Sequence, residues 1–208
     1  MEALAALLLD QAQAYSALEI IAVVFAIAYL LLAIRQNIWC WLCAGISTAI
    51  YIWLFIVAKL YMESVLNSFY FVMAIYGWMV WSSGREDGHE RAVVRWPWQT
   101  HAGALLIIIL MSGLNGFMLT KYTDAAFPYI DSMTTWSAIW ATFLVARKVL
   151  ENWWYWLVID SASVLIYWVR DLQLTSLLFV VYVVMIPFGI VSWTRSYRQQ
   201  ELGCHSVA

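Results

Sequence analysis

Charged residues are scarce in this chain: Asp, Glu, Lys and Arg make up only 12% of its 208 residues. A soluble domain usually carries about 25%. Hydrophobic residues reach 64%, and the mean hydropathy is +0.76. This balance excludes an ordinary soluble domain and predicts an integral membrane protein. The net charge of −2 offers no basic surface, so we expect no nucleic-acid partner.

Cysteine is also rare, and three residues cannot form a disulfide framework. Cys40 and Cys43 lie in an apolar run with no His nearby, so we predict neither a metal site nor a cofactor. The chain has no Gly-rich phosphate loop followed by Lys, which excludes ATP hydrolysis by that motif. Asp131 and Asp160 fall at different depths, which argues against an aspartyl protease. We therefore expect a protein that is not an enzyme.

Seven apolar segments have the length that a bilayer requires, about 17–25 residues. A short lead-in at 1–16, a charged loop at 82–101 and a polar tail at 194–208 complete the chain. Of the 11 Lys and Arg residues, eight fall in loops on one side and three on the other, which places the N-terminus outside and the C-terminus in the cytoplasm. The segments are 17–34, 38–58, 62–81, 102–119, 130–146, 153–169 and 174–193.

An internal repeat relates the two ends of the chain. Residues 60–81 match 172–193 at an offset of 112, and residues 37–42 match 152–157 at an offset of 115. We therefore predict an all-α fold with two parallel three-helix repeats, as in SWEET-like proteins, joined by a central linker helix. The first repeat would cover 17–81, the linker 102–119 and the second repeat 130–193. The matched pairs include Ser64 with Ser176, Tyr70 with Tyr182, Gly77 with Gly189 and Trp81 with Trp193.

One face of the sixth segment carries a lone carboxylate among aromatic residues. At ~100° per residue, this face spans roughly 80°. A carboxylate inside an apolar helix costs about 2.5–3.5 kcal/mol to insert, so it normally faces a partner or a cavity. The face could bind a flat, cationic, aromatic ligand, or the carboxylate could pair structurally and the indoles could form an interfacial belt. Its members are Trp153, Trp156, Asp160, Ser163 and Tyr167.

The third segment adds two candidates on a shared face, Asn67 and Tyr70. Asn67 could face the ligand or bond a neighbouring helix. Gly77 and Gly189 favour close helix packing, and Pro187 could kink the last helix.

Three motifs resemble the bacterial nicotinamide riboside transporters, the PnuC-like vitamin transporters. The resemblance covers nearly the whole chain and follows the predicted helix order. They are Ile75-Tyr76-Gly77-Trp78-x-x-Trp81-Ser82, Ala126-Phe127-Pro128-x-x-Asp131-Ser132 and Arg147-Lys148-x-x-Glu151-Asn152-Trp153-x-x-Trp156-x-x-x-Asp160.

The resemblance implies a homotrimeric, seven-helix protein of the bacterial inner membrane. Such a protein moves an unphosphorylated vitamin across the lipid bilayer by facilitated diffusion, and phosphorylation then traps the vitamin inside. By position, Trp153 and Trp156 would stack on the substrate ring and Asp160 would hydrogen-bond it.

Two positions depart from the family pattern, since Asp160 stands where Asn is usual and Asn67 where Gln is usual. An Asp only accepts hydrogen bonds, which suits the exocyclic amine of thiamine and the thiamine-transporting (PnuT-like) branch. We therefore expect thiamine as substrate, with nicotinamide riboside as the alternative. A membrane scaffold that does not transport is a second alternative.

Overall fold

A computed structural model describes residues 17–57, 61–83, 91–123, 127–170 and 173–205. These residues form seven helices, which confirms the all-α class. The lead-in at 1–16 lies outside the described residues. The helices are α1 (Ala17–Ile34), α2 (Trp39–Val57), α3 (Tyr61–Ser82), α4 (Trp98–Tyr122), α5 (Pro128–Ala146), α6 (Asn152–Val169) and α7 (Gln173–His205).

Two helices are longer than the sequence predicted. Helix α4 begins at Trp98, directly after Pro97, because the fixed φ of proline is compatible with the start of a helix. Helix α7 runs through Pro187 and continues to His205, so the predicted tail is helical from Thr194 to His205. Its Arg, Gln and Glu residues favour helix over an irregular tail.

Five helices, α1 to α4 and α7, are long and apolar enough to cross a membrane, which makes this a multi-pass membrane protein. Helices α5 and α6 have similar lengths but are less apolar. Helix α5 carries Asp131 and several hydroxyl groups, and α6 carries Asn152, Asp160 and its indoles. Helix α5 also has the most buried positions of the described helices, so protein surrounds many of these polar groups.

Six of the helices form a closed ring. Each contacts the next in the order α1, α2, α3, α5, α6, α7, and α7 contacts α1 again. Helix α4 packs along α5 and touches α6 where His101 lies 3.1 Å from the Tyr155 hydroxyl, so it lies outside the ring. The ring therefore consists of a first triplet, α1–α3, and a second triplet, α5–α7, which meet at two seams, α3–α5 and α7–α1.

The same contacts recur in both triplets at a constant spacing of 112 residues. Gly77 lies against the ring of Trp41, and Gly189 lies in the same way against Trp153. Trp41 is therefore the counterpart of Trp153. The sequence comparison, with its offset of 115 for this helix, wrongly paired Trp41 with Trp156.

Further pairs share the spacing of 112. Gln36 and Lys148 both have a positive φ, 56° and 54°, in the turn before the second helix of each triplet. The Ser64 hydroxyl donates to the carbonyl of residue 52 at 3.4 Å, and the Ser176 hydroxyl donates to that of residue 164 at 2.9 Å.

The main hydrophobic core lies at the end of the ring where α1, α3 and α5 terminate, which we call the closed end. Four indoles meet here in two edge-on pairs with similar geometry. Trp41 and Trp81 have centroids 5.5 Å apart at 87°, and Trp153 and Trp193 have centroids 5.6 Å apart at 89°.

An extended segment, residues 91–97, crosses the closed end before α4. The Val94 amide donates to the Lys148 carbonyl at 3.0 Å, and the Leu150 amide donates to the Val94 carbonyl at 2.9 Å. Arg95 Nε lies 2.8 Å from Glu151 Oε1, and this hydrogen bond raises the pKa of the Arg95 guanidinium. The segment therefore ties the loop after the first triplet to the α5–α6 turn of the second.

Candidate functional site

Asp160 lies about two turns into α6, on the side turned toward the interior of the ring. It is only 5% exposed, yet no hydrogen bond or ion pair to another described residue satisfies its carboxylate. Burying a carboxylate without a partner is costly, so such a group normally awaits a ligand or a cation. Asp160 is therefore the central group of the candidate site.

Aromatic side chains from both triplets surround this carboxylate. Tyr70 from α3 packs with Tyr155 and Trp156 against a small apolar cluster of α5 and α6 residues. The phenols of Tyr70 and Tyr182 both interact electrostatically with Asp160. Because Tyr70 and Tyr182 are counterparts at the spacing of 112, the two triplets contribute the same phenol to the site.

The two tryptophans predicted for substrate stacking occupy different places. Trp156 is half-buried and packs at the border between the main core and the cluster beside Tyr70. Trp153 is only 2% exposed, lies against Gly189 and meets Trp193 edge-on in the closed-end core. Trp153 therefore packs against α7 in the closed-end core, and its stacking on a substrate ring stays a prediction.

The other predicted residues fall around the same carboxylate. Ser163 is buried on the face of α6 that carries Asp160. Tyr167 stacks on Phe179, with centroids 5.2 Å apart and planes at 12°, and its phenol interacts electrostatically with Tyr70. Tyr167 thus borders the site from the far end of α6.

Asn67 lies on α3 toward the opposite end of the ring. Its amide nitrogen donates to the backbone carbonyl of Glu63 at 2.9 Å. This bond lies within its own helix, and contact of Asn67 with the ligand or with a neighbouring helix stays a prediction. Asparagine side chains commonly form such local bonds to nearby backbone.

The sequence analysis missed Tyr182 and Tyr51 as site residues. Tyr51 interacts electrostatically with Tyr182, which in turn interacts electrostatically with Asp160. The signal for Tyr182 was available, because the repeat pairs it with Tyr70. No sequence pattern distinguished Tyr51 from the other aromatics of α2.

The chemistry of the site suits a flat, cationic, aromatic molecule. A carboxylate accepts hydrogen bonds and attracts positive charge, phenols both donate and accept, and an indole offers a face for stacking. The ring of helices places these groups between two triplets that meet at separate seams. A polar site enclosed by a membrane-spanning helix ring defines a class of protein, the small-molecule membrane transporters.

Comparison with known proteins specifies the family. The family model described as nicotinamide mononucleotide transporter matches residues 16–195. The chain therefore belongs to the nicotinamide mononucleotide transporter family, which confirms the PnuC-like resemblance.

Curated relatives agree with this assignment. The nicotinamide riboside transporter PnuC of Escherichia coli K12 is 26% identical over 173 residues, covering 71% of this chain and 72% of that protein. The riboflavin/roseoflavin transporter RibM of Streptomyces davaonensis is 24% identical over 132 residues, covering 62% of each. These relatives are transporters rather than enzymes.

A solved structure supports the fold. The crystal structure of the vitamin B3 transporter PnuC superposes with a TM-score of 0.69 at 20% identity, covering 94% of this chain and 90% of that one. At this identity the likeness concerns the fold alone.

Proposed function

We propose that this protein is a facilitated-diffusion transporter for an unphosphorylated B vitamin with a cationic aromatic ring, and that nicotinamide riboside is its substrate. One observation carries the proposal: Asp160 is a buried carboxylate without a partner among the described residues, inside the helix ring of a chain from this family. A passive transporter requires such a binding site, and it does not require an ATPase motif.

The relatives favour nicotinamide riboside over thiamine. The E. coli relative is named for nicotinamide riboside and the structural neighbour for vitamin B3, whereas the thiamine expectation depends on Asp160 alone. Thiamine remains the second candidate, because an accepting carboxylate matches its exocyclic amine. The relative named for riboflavin makes a neutral vitamin a useful third ligand in the test.

In the proposed complex, Trp156 stacks on the pyridinium ring and Asp160 accepts a hydrogen bond from the carboxamide. Tyr70 and Tyr182 enclose the ring from the two triplets, while Ser163 and Tyr167 border the ribose side. A stacked cation contributes about 0.5–2 kcal/mol per aromatic face. Trp153 supports the helix that carries these groups and does not contact the ligand.

The proposal includes the arrangement in the membrane. All seven helices cross the bacterial inner membrane, the two triplets are parallel repeats, and the N-terminus is outside. The spacing of 112 residues between equivalent contacts supports the repeats. The homotrimer implied by the family resemblance belongs to the proposal, and light scattering of the detergent-solubilised protein measures it.

Calorimetry on the purified protein tests the function. We expect nicotinamide riboside to bind, and we expect Trp156→Ala to weaken binding about tenfold as the stacking face is lost. Trp154→Ala is the matched control, since Trp154 is the neighbouring indole and is 56% exposed on the outer face. If thiamine is the only vitamin that binds tightly, thiamine replaces nicotinamide riboside as the proposed substrate. Binding of none of the three vitamins would contradict the transporter proposal and favour the scaffold.

A further inference from the structure

The two triplets are joined at the closed end by two hydrogen bonds whose donors are counterpart indoles. The indole of Trp81 on α3 donates to the carbonyl of Ala146 at the end of α5, at 3.1 Å. The indole of Trp193 on α7 donates to the carbonyl of Ala33 near the end of α1, at 2.9 Å. Each seam of the ring is therefore closed by the same residue of the repeat.

These two indoles also meet each other between the triplets. Their centroids lie 6.3 Å apart, so the rings of Trp81 and Trp193 fill the centre of the closed end. The ammonium group of Lys148 lies 4.5 Å from the Trp81 ring and 3.5 Å from Gln36 Oε1. Gln36 in turn donates to the Ser196 hydroxyl at 2.8 Å. The counterpart turn residues Gln36 and Lys148 thus cap the same end.

The opposite end of the ring is held differently. Arg170 pairs with Asp131 at 2.6 Å, but both residues belong to the second triplet. Glu63 of the first triplet interacts with this pair only electrostatically. The hydrogen bonds that join Trp81, Trp193 and Gln36 to the other triplet all lie at the closed end.

The closed end also contains donors that its present packing leaves unpaired. The indole nitrogens of Trp41 and Trp153 are buried and have no hydrogen-bond partner among the described residues. These indoles are counterparts, so the same donor is unpaired in each triplet. Leaving a buried donor unpaired is costly, and such groups in native proteins call for an explanation. A second arrangement of this end, in which water reaches both indoles, would satisfy them.

We propose that Trp81 and Trp193 form a paired gate, and that both indole hydrogen bonds break together to open the closed end toward the binding site. The inference builds on the proposed transport function, because a gate requires a route for substrate. Helix α6 connects the gate to the binding site. Trp153 packs edge-on against Trp193 one helical turn from Trp156, so a ligand on Trp156 lies next to the gate.

Cys40 provides a native reporter for opening. It is fully buried and belongs to the same hydrophobic core as Trp81 and Trp193. In a background in which the other two cysteines are serine, the labelling rate of Cys40 by a small maleimide reports how often the closed end opens. Loss of one hydrogen bond should raise this rate about fivefold in Trp81→Phe and in Trp193→Phe. Phenylalanine keeps an aromatic ring but cannot donate.

The double variant distinguishes a gate from two separate packing contacts. If both bonds break in one opening event, their effects multiply and the double variant should label about 25-fold faster. Trp168→Phe is the control, because this indole is 53% exposed on α6, away from the closed end. An unchanged rate in both single variants, a double variant no faster than a single one, or an equal effect in the control would overturn the gate.

A reversible cross-link separates the gate from the transport proposal. Gln36→Cys and Ser196→Cys, placed in a cysteine-free background and bridged by a bifunctional methanethiosulfonate, should lock the α7–α1 seam. We expect nicotinamide riboside binding to persist in detergent, vesicle uptake to fall at least tenfold, and reductant to restore it. Full uptake after bridging would overturn the gate. If no vitamin binds before bridging, the proposed function is overturned. The Cys40 labelling rates would then still test the gate.

Discussion

Trp153 covers Gly189 so closely that a Cβ atom on Gly189 would overlap its indole ring. The contact joins the first turn of α6 to the last half of α7. It also explains why Trp153 is only 2% exposed, since part of its indole lies against the backbone of α7.

The first prediction tests this packing. Gly189→Ala should destabilise the protein by about 1–3 kcal/mol, because a rigid indole must move. Gly77→Ala should do the same, since Trp41 covers Gly77 in the same way. Gly113→Ala is the control, because nothing lies within 4 Å of a Cβ at that position. Thermal unfolding in detergent measures the difference, and equal midpoints for Gly113→Ala and Gly189→Ala would contradict the assigned packing.

Two counterpart serines should differ in their contribution to stability. Ser176 is fully buried and donates at 2.9 Å, while Ser64 donates at 3.4 Å, near the limit for a hydrogen bond. Hydrogen bonds between membrane helices contribute about 0.6 kcal/mol on average. Ser176→Ala should therefore lower the unfolding midpoint more than Ser64→Ala. The reverse order would mean that these distances do not determine the effect.

Asp160 should control ligand preference. Asp160→Asn gains a donor for the nicotinamide carbonyl and loses a charge, so nicotinamide riboside affinity should stay within about threefold. Asp160→Ala leaves the amide donor unpaired and should weaken binding about tenfold or more. Calorimetry measures both, with the exposed neighbour Ser161→Ala as control. A large loss of affinity in Asp160→Asn would instead favour a ligand that needs the carboxylate, such as thiamine.

Glu151 should hold the extended segment on the closed end. Its carboxylate bonds Arg95 at 2.8 Å and accepts from the Trp96 amide at 3.3 Å. Glu151→Gln should speed amide hydrogen exchange at Trp96 more than at Val94, because the Val94 amide bonds the backbone of the α5–α6 turn. Glu63→Gln, exposed on α3 toward the opposite end of the ring, is the control. Equal acceleration at both amides would mean that the whole segment detaches.

The helices could be predicted from the sequence, but the register of α2 against α6 could not. Trp39 and Trp41 in α2, and three tryptophans early in α6, allow several alignments of similar quality. The structural markers of the true register, Gln36 and Lys148, share a positive φ but no side-chain similarity. The close packing predicted for Gly77 and Gly189 is confirmed, although the sequence did not identify the indoles that cover them.

The sequence predicted which face of α6 is buried, but it did not predict how deep each residue lies along the helix. A helical wheel places Trp153 and Asp160 on one face, but it does not indicate how near each lies to the end where the helices converge. Trp153 falls in the converging core, while Asp160 lies two turns further along. Lys148, counted from the sequence as an ordinary loop cation, is only 3% exposed because its chain folds back over Trp81. Such long-range contacts leave no local pattern.

The position of α4 outside the ring makes the two seams mechanically unequal. The chain itself crosses the α3–α5 seam through α4, and backbone hydrogen bonds join residues 91–97 to the α5–α6 turn. Across the α7–α1 seam, side chains alone bridge the helices, through Trp193, Ser192 and Gln36. Because only the α3–α5 seam is held by the chain itself, the two triplets should rotate about that seam. The helices at the α7–α1 seam should then move furthest, although similar side-chain hydrogen bonds join both seams.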